Sequence, residues 1–192
     1  EITLADGKRV VLNGDNLLVE GAAEFHAQIQ GAGDLEISAT HAITINNENN
    51  LYTGGTYVTQ GQALIGRDNS LGNTSSLQVA SGAGFNLNGK TQTVGALSAI
   101  GQVDLNGGNL TLQNGGTATA NSLVNNGTLN LQAGVLTVSG ENPNLAASIT
   151  INPISQVMIN DVKGLGTSAI DNAGTLTLSN ANGSFANAVS DS

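Results

Sequence analysis

A chain of 192 residues can bury a core as one large domain or two small ones, and its 39% apolar share plus 26 glycines sits near the globular average, which excludes low-complexity disorder. Only 10% of the residues are charged, the net charge is −9 and Lys and Arg total five, so nucleic acid and anionic lipid are excluded as partners. Cysteine is absent, which removes disulfides and thiolate metal sites.

No apolar run approaches the ~20 residues of a membrane helix, and the N-terminus lacks a signal-peptide pattern. The start at Glu1 without Met and the stop in mid-pattern at Ser192 read as a piece of a longer chain.

Along the chain, apolar residues recur at i and i+2: Leu35/Ile37, Ile43/Ile45, Leu77/Val79, Phe85/Leu87, Val103/Leu105, Leu110/Leu112, Leu129/Leu131, Leu136/Val138, Ile149/Ile151, Val157/Ile159 and Leu176/Leu178. Period two means strand, with each pair facing one side. No useful window carries a 3.6-residue period, and Leu145-Ala146-Ala147 after Pro143 is at most one helical turn. Phe25, Phe85 and Phe185 read as core residues.

The gaps between pairs carry the architecture. Phe85 to Val103 is 18 residues and Leu110 to Leu129 is 19, while the pairs starting at 103 and 110, and at 129 and 136, are 7 apart. An antiparallel sandwich wants longer strands with a turn signal every ~8–12 residues. Three-residue strands between Gly/Asn corners, recurring at roughly 20–25 residues, fit a solenoid in which each circuit pairs in parallel with the next. The expected fold is therefore all-β, a right-handed parallel β-helix of roughly eight or nine coils and about 40 Å in length.

Three echoes write one pattern: 106–112 (NGGNLTL), 125–131 (NNGTLNL) and 172–178 (NAGTLTL). Gly and Asn accept the left-handed backbone of a sharp corner, after which the Leu pair turns inward. The offset of 47 between the last two reads as two circuits with a loop inserted. Stacked corner Asn residues are expected to form hydrogen-bonded ladders. The terminal coils are expected to leave unpaired edges, and a loop that protrudes from the rod is to be sought near 113–126, 141–148 or 160–172.

Residues 49–72 (NNLYTGGTYVTQGQALIGRDNSLG) resemble the autotransporter-associated β-strand repeat, of typical form N-x-Y-T-G-G-T-x-V-x-x-G-x-L-x-x-G followed by a short loop and A/S-L-G. The match runs on through 76–89 (SLQVASGAGFNLNG), 92–97 (QTVGAL) and 101–108 (GQVDLNGG). It is strong over 49–112 and loose over 113–140, and 1–48 and 141–192 agree only in texture. The resemblance is to passengers of the AIDA type. It implies that 1–192 is a single β-helix segment of a longer passenger, at the surface of a Gram-negative bacterium and anchored at the outer membrane. The partner it implies within the parent is a C-terminal outer-membrane barrel that lies outside these residues. Members of the family are commonly adhesins, self-associating proteins or biofilm factors, and lack of cysteine suits a passenger that crosses the periplasm unfolded.

No residue is assigned a catalytic, cofactor-binding or metal-binding role, and no cofactor is expected. Enzymes on parallel β-helices act chiefly on acidic polysaccharides, and hydrolysis needs two carboxylates facing one cleft. Asp34 and Glu36 share a strand face and Asp15 and Glu20 lie nearby, but a solvated face accounts for them equally well. Lys8, Arg9, Arg67, Lys90 and Lys163, which a lyase would need together, are scattered. His26 and His41 have no carboxylate or nucleophile grouped with them. Gly31-Ala32-Gly33-Asp34-Leu35 is half of a calcium-binding nonapeptide without its Gly-Gly start. The Thr-x-Thr steps at 91–93, 117–119 and 175–177 lie 26 and 58 apart, which does not supply the in-register array that ice binding needs. The function expected is adhesion or self-association by the parent, either to a host glycan or protein or to another copy of itself. The alternative for this segment is a spacer or folding-nucleus role, with a polysaccharide-degrading enzyme a distant third.

Overall fold

The computed structural model describes the backbone at residues 2–4, 9–12, 18–19, 22–47 and 49–192, and the side chains at 24–47 and 49–192. The alternation of buried and accessible residues along the strands, as in Asn109–Leu112 and Thr128–Leu131, places one apolar set inward on each. These strands are too short to close a core alone, so each stacks on the equivalent strand one circuit away. The result is an all-β parallel solenoid, with no helix among the described residues.

Each circuit has up to three faces. The first carries Ile29–Gly31 and Leu51–Tyr52, then, beyond the turn at 67–74, Thr91–Val94, Asn109–Leu112, Thr128–Leu131, Ser148–Ile151 and Ala169–Asn172. The second begins with the first halves of Asp34–Ile45 and Gly55–Ile65. It continues through Ser76–Val79, Ala96–Ala99, Gly115–Ala118, Gly134–Val138, Ser155–Ile159 and Thr175–Leu178. The third takes the second halves of those two long strands, then Gly84–Asn86, Gln102–Asp104 and Leu123–Val124. Pairing is parallel throughout, except where Leu18–Val19 runs antiparallel to Ala22–Ala23.

One register column of the second face reads Val10, Leu35, Thr56, Leu77, Leu97, Gly116, Leu136, Val157, Leu176, with the side chains of its buried members from Leu35 on turned inward. That is nine rungs. From Leu35 onward the spacing is 19 to 21 residues (56 − 35 = 21; 116 − 97 = 19), the lower edge of the expected range. The two recurrences read from the sequence are true circuits, since Phe85 pairs with Val103 and Leu110 with Leu129.

Ten of the eleven apolar pairs are buried. The eleventh is not: Leu176 is half-buried and Leu178 is 41% exposed, because Thr175–Leu178 pairs on one side only. Phe25 and Phe85 lie in the core and Phe185 packs partly against it.

The offset of 47 is not two circuits. Asn109–Leu112 and Thr128–Leu131 stack on the first face, whereas Thr175–Leu178 belongs to the second. A Gly/Asn corner followed by an inward pair satisfies any face, so a local echo does not fix which face it occupies. No loop protrudes at 113–126, which holds Gly115–Ala118 and Leu123–Val124. Nor is there a helical turn at Leu145-Ala146-Ala147, where Leu145 is fully buried in a turn and bridges Asn125.

Two corners show why Gly and Asn stand where they do. Asn88 and Gly89 have φ of 51° and 73°, and the Lys90 amide closes the turn on the Leu87 carbonyl at 2.8 Å. At Gly54 a Cβ would meet the Gly33 carbonyl oxygen at 2.1 Å, so the corner between the first two faces closes only on glycine.

Candidate interaction surface

Among the described polar groups that the sequence offered, Asp34, Glu36 and Lys163 are joined to a neighbouring circuit, and His26 and His41 meet residues of their own segment. Asp34 accepts the Gly55 amide at 2.7 Å and Glu36 accepts the Thr59 hydroxyl at 2.9 Å, so both carboxylates tie one circuit to the next. Asp15, Glu20 and Lys8 lie outside the described residues, and only the backbone of Arg9 is described. His26 meets Glu24 at 2.8 Å and His41 lies beside Thr40, both on exposed surface. Lys163 pairs with Glu141 at 3.5 Å.

Arg67 and Lys90 are less scattered than their numbers suggest. They lie on adjacent circuits and line one notch of about 330 Å³ with Asn46, Gly66 and Asp68. Among the described residues no group of three or more His, Asp or Glu is placed to hold a metal ion.

Of the ladders expected at the corners, single rungs are present, one ending on a carboxylate and one on Asn130 within a strand. Asn106 donates to Asn86 at 3.1 Å, Asn125 to Asp104 at 2.8 Å and Asn152 to Asn130 at 2.9 Å. A second set, which the sequence reading missed, is buried. The Asn50 amide oxygen accepts the Ile29 amide at 2.8 Å, and its nitrogen donates to the Ser70 carbonyl at 2.7 Å. Gln92 accepts the Leu71 amide at 2.9 Å, and Asn142 accepts the Leu123 amide at 3.0 Å while donating to the Gly164 carbonyl at 3.0 Å. These amides supply bonds that ladder geometry omits at the corners, where an unpaired buried group would be costly. Their signal in the sequence was an amide at an inward position, such as Gln92 two residues before Val94.

Tyr52, Thr56 and Thr74 form another buried group. The Tyr52 hydroxyl bonds Thr56, Thr56 bonds Thr74 at 2.7 Å, and Thr74 reaches the Gly54 carbonyl at 2.8 Å. Burial pushes the Tyr52 phenol well above its ordinary value, with the Thr56 and Thr74 hydrogen bonds pulling the other way.

One part of the remaining surface carries no charge over four rungs. On the first face the outward residues form two in-register columns: Thr91, Asn109, Thr128, Ser148 and Thr93, Thr111, Asn130, Thr150. Their spacing along the axis is ~4.8 Å, set by strand pairing. No charge enters either column until Asp171 on the following rung. The Thr-x-Thr steps at 117–119 and 175–177 do not share this face: Thr117 and Thr177 stand on the second, in one column with Thr137 and Met158 between them. A shallow groove of about 600 Å³ crosses the corner between the second and third faces, past Thr40, His41, Gln62, Gln102 and Asn121. Its Gly61 and Gly101 are required by close approach to carbonyls of the preceding circuit.

This chain is similar to two proteins of Escherichia coli K12. It is 42% identical over 160 residues to the uncharacterised protein YuaQ, covering 81% of this chain and 12% of that protein. It is 34% identical over 191 residues to the uncharacterised lipoprotein YdeK, covering 98% of this chain and 14% of that protein. The chain thus spans about an eighth of the length of these curated relatives. No protein-family model matches it, and no solved structure matches it.

Proposed function

We propose that this chain is a stalk segment of a bacterial surface protein of the autotransporter passenger type, and that rods of it associate side by side through the neutral first face. The observation that carries the reading is the pair of uncharged, in-register columns from Thr91 to Thr150 on a chain of net charge −9. Like-charged rods repel, so contact is favoured where charge is absent and hydrogen-bonding groups are dense. A solenoid of equal circuits supports the stalk role, because each added circuit lengthens the rod without a new core. An envelope location is supported by the similarity to a protein described as a lipoprotein. The barrel that would anchor such a passenger, and any host glycan or protein it meets, belong to the parent. Catalysis is not part of this reading, since Asp34 and Glu36 are spent on holding circuits together.

The test is aggregation of bacteria that display this chain. Thr111→Glu with Thr150→Glu puts carboxylates in one column of the face that must meet another acidic rod, and is expected to abolish settling at unchanged surface level. Undiminished settling would leave the spacer role and remove the lateral contact.

A further inference from the structure

A stack of similar circuits carries a hazard that its core cannot remove. One inward column holds Leu35, Leu77 and Leu97, the last two on successive rungs, so one circuit could be looped out and the next take its place. Hydrophobic burial barely distinguishes the two registers.

Thr56 is the polar member of that column, between Leu35 and Leu77. It is fully buried, as is Tyr52, and Thr74 is 2% exposed. A hydroxyl donates once, so all three donate only in one direction: Tyr52 to Thr56, Thr56 to Thr74, and Thr74 to a backbone carbonyl, Gly54 at 2.8 Å or Ser76 at 3.0 Å. The chain of bonds therefore begins in one circuit and needs Thr74 of the next to end it.

One circuit further on, Ser76 pairs with Ala96, so the position equivalent to Thr74 is Val94. Valine has no acceptor. With Val94 over Thr56, the Thr56 hydroxyl would be buried with no group in the next circuit to receive its proton. Asn50, in the same circuit as Tyr52, adds a second requirement by bonding the Ile29 amide before it and the Ser70 carbonyl after it.

We propose that the Tyr52–Thr56–Thr74 hydroxyl chain is a register lock, which rejects the stacking of circuit 91–104 directly on circuit 50–65. It is a device of specificity, since apolar residues of the same shape would fill the space equally well. Tyr52 and Thr56, the first and last letters of the Tyr-Thr-Gly-Gly-Thr stretch, thereby act inside the rod, while Thr53 between them is exposed.

Disulfide trapping reads the register directly, because the chain has no cysteine of its own. In the native stack Tyr57 pairs with Gln78 and Gln78 with Ser98. Cysteines at 57 and 98 are then two strand spacings apart, about 9.6 Å, beyond the ~7 Å limit for a disulfide. In the slipped stack they are direct neighbours. The full chain with Tyr57→Cys and Ser98→Cys is refolded from denaturant with a thiol oxidant, with the lock intact and with Tyr52→Phe, Thr56→Val and Thr74→Val together. Gln78→Cys with Ser98→Cys serves as the native-register control. The expected result is a 57–98 cross-link at background level with the lock intact and at least tenfold above it without. A folded lock-free chain that still cross-links only at background overturns the proposal. Should the triple variant fail to fold, Thr74→Val alone gives the same reading: a rise supports the lock, and background cross-linking in the folded protein overturns it.

Discussion

Thr56 shows how much one buried hydroxyl can matter in a core that is otherwise hydrocarbon. Thr56→Val leaves the Tyr52 hydroxyl and Thr74 without the partner between them. The expected cost is about 1–3 kcal/mol, read as a lower urea midpoint at unchanged slope. Replacing Tyr52 and Thr74 as well should recover part of that loss, because no polar group is then stranded. The Tyr52 phenol also predicts a pH limit. Its folded value is raised above the ordinary 10.0, so above that pH the unfolded chain releases a proton that the folded chain retains. Stability is therefore full below pH 10.0 and falls as pH rises through the folded value. Denaturant titrations at rising alkaline pH should show this fall, and Tyr52→Phe should reduce its slope.

At the scale of the strand, position in the stack decides what a leucine is worth. Leu129 is 1% exposed with rungs on both sides, and Leu178 is 41% exposed with a rung on one. Leu129→Ala should cost about 2–5 kcal/mol, and Leu178→Ala about 0.5 kcal/mol, measured by equilibrium unfolding. The same difference explains what could be read in advance. Inward pairs such as Leu110/Leu112 and Leu129/Leu131 announced both strand and circuit, because burial demands an apolar residue at every second place. The face to which Thr175–Leu178 belongs was not legible, since the corner at 172–174 resembles those at 106–108 and 125–127. Gln92 and Asn142 were not legible as core residues either, because an amide is read as surface until the carbonyl or amide it satisfies is known. The surface columns were hidden for a related reason. Thr93, Thr111, Asn130 and Thr150 become one array only when circuits of unequal length are aligned by their hydrogen bonds.

The molecule is a rod that, over the four rungs from Thr91 to Thr150, keeps charge off its first face. Charged groups such as Arg67, Asp68, Lys90, Asp104 and Lys163 stand at corners or beside them, and the first face between Thr91 and Thr150 carries none. The electrostatic force that opposes association through that face is the net charge of −9, and salt screens it. Hydrogen bonds between neutral groups are not screened in this way. Sedimentation equilibrium of the chain at low and at high salt therefore tests the lateral contact most directly. A reversible, concentration-dependent dimer is expected, which strengthens as salt is added and is lost in Thr111→Glu with Thr150→Glu. A monomer at every salt concentration, or a dimer that salt dissociates, would contradict it.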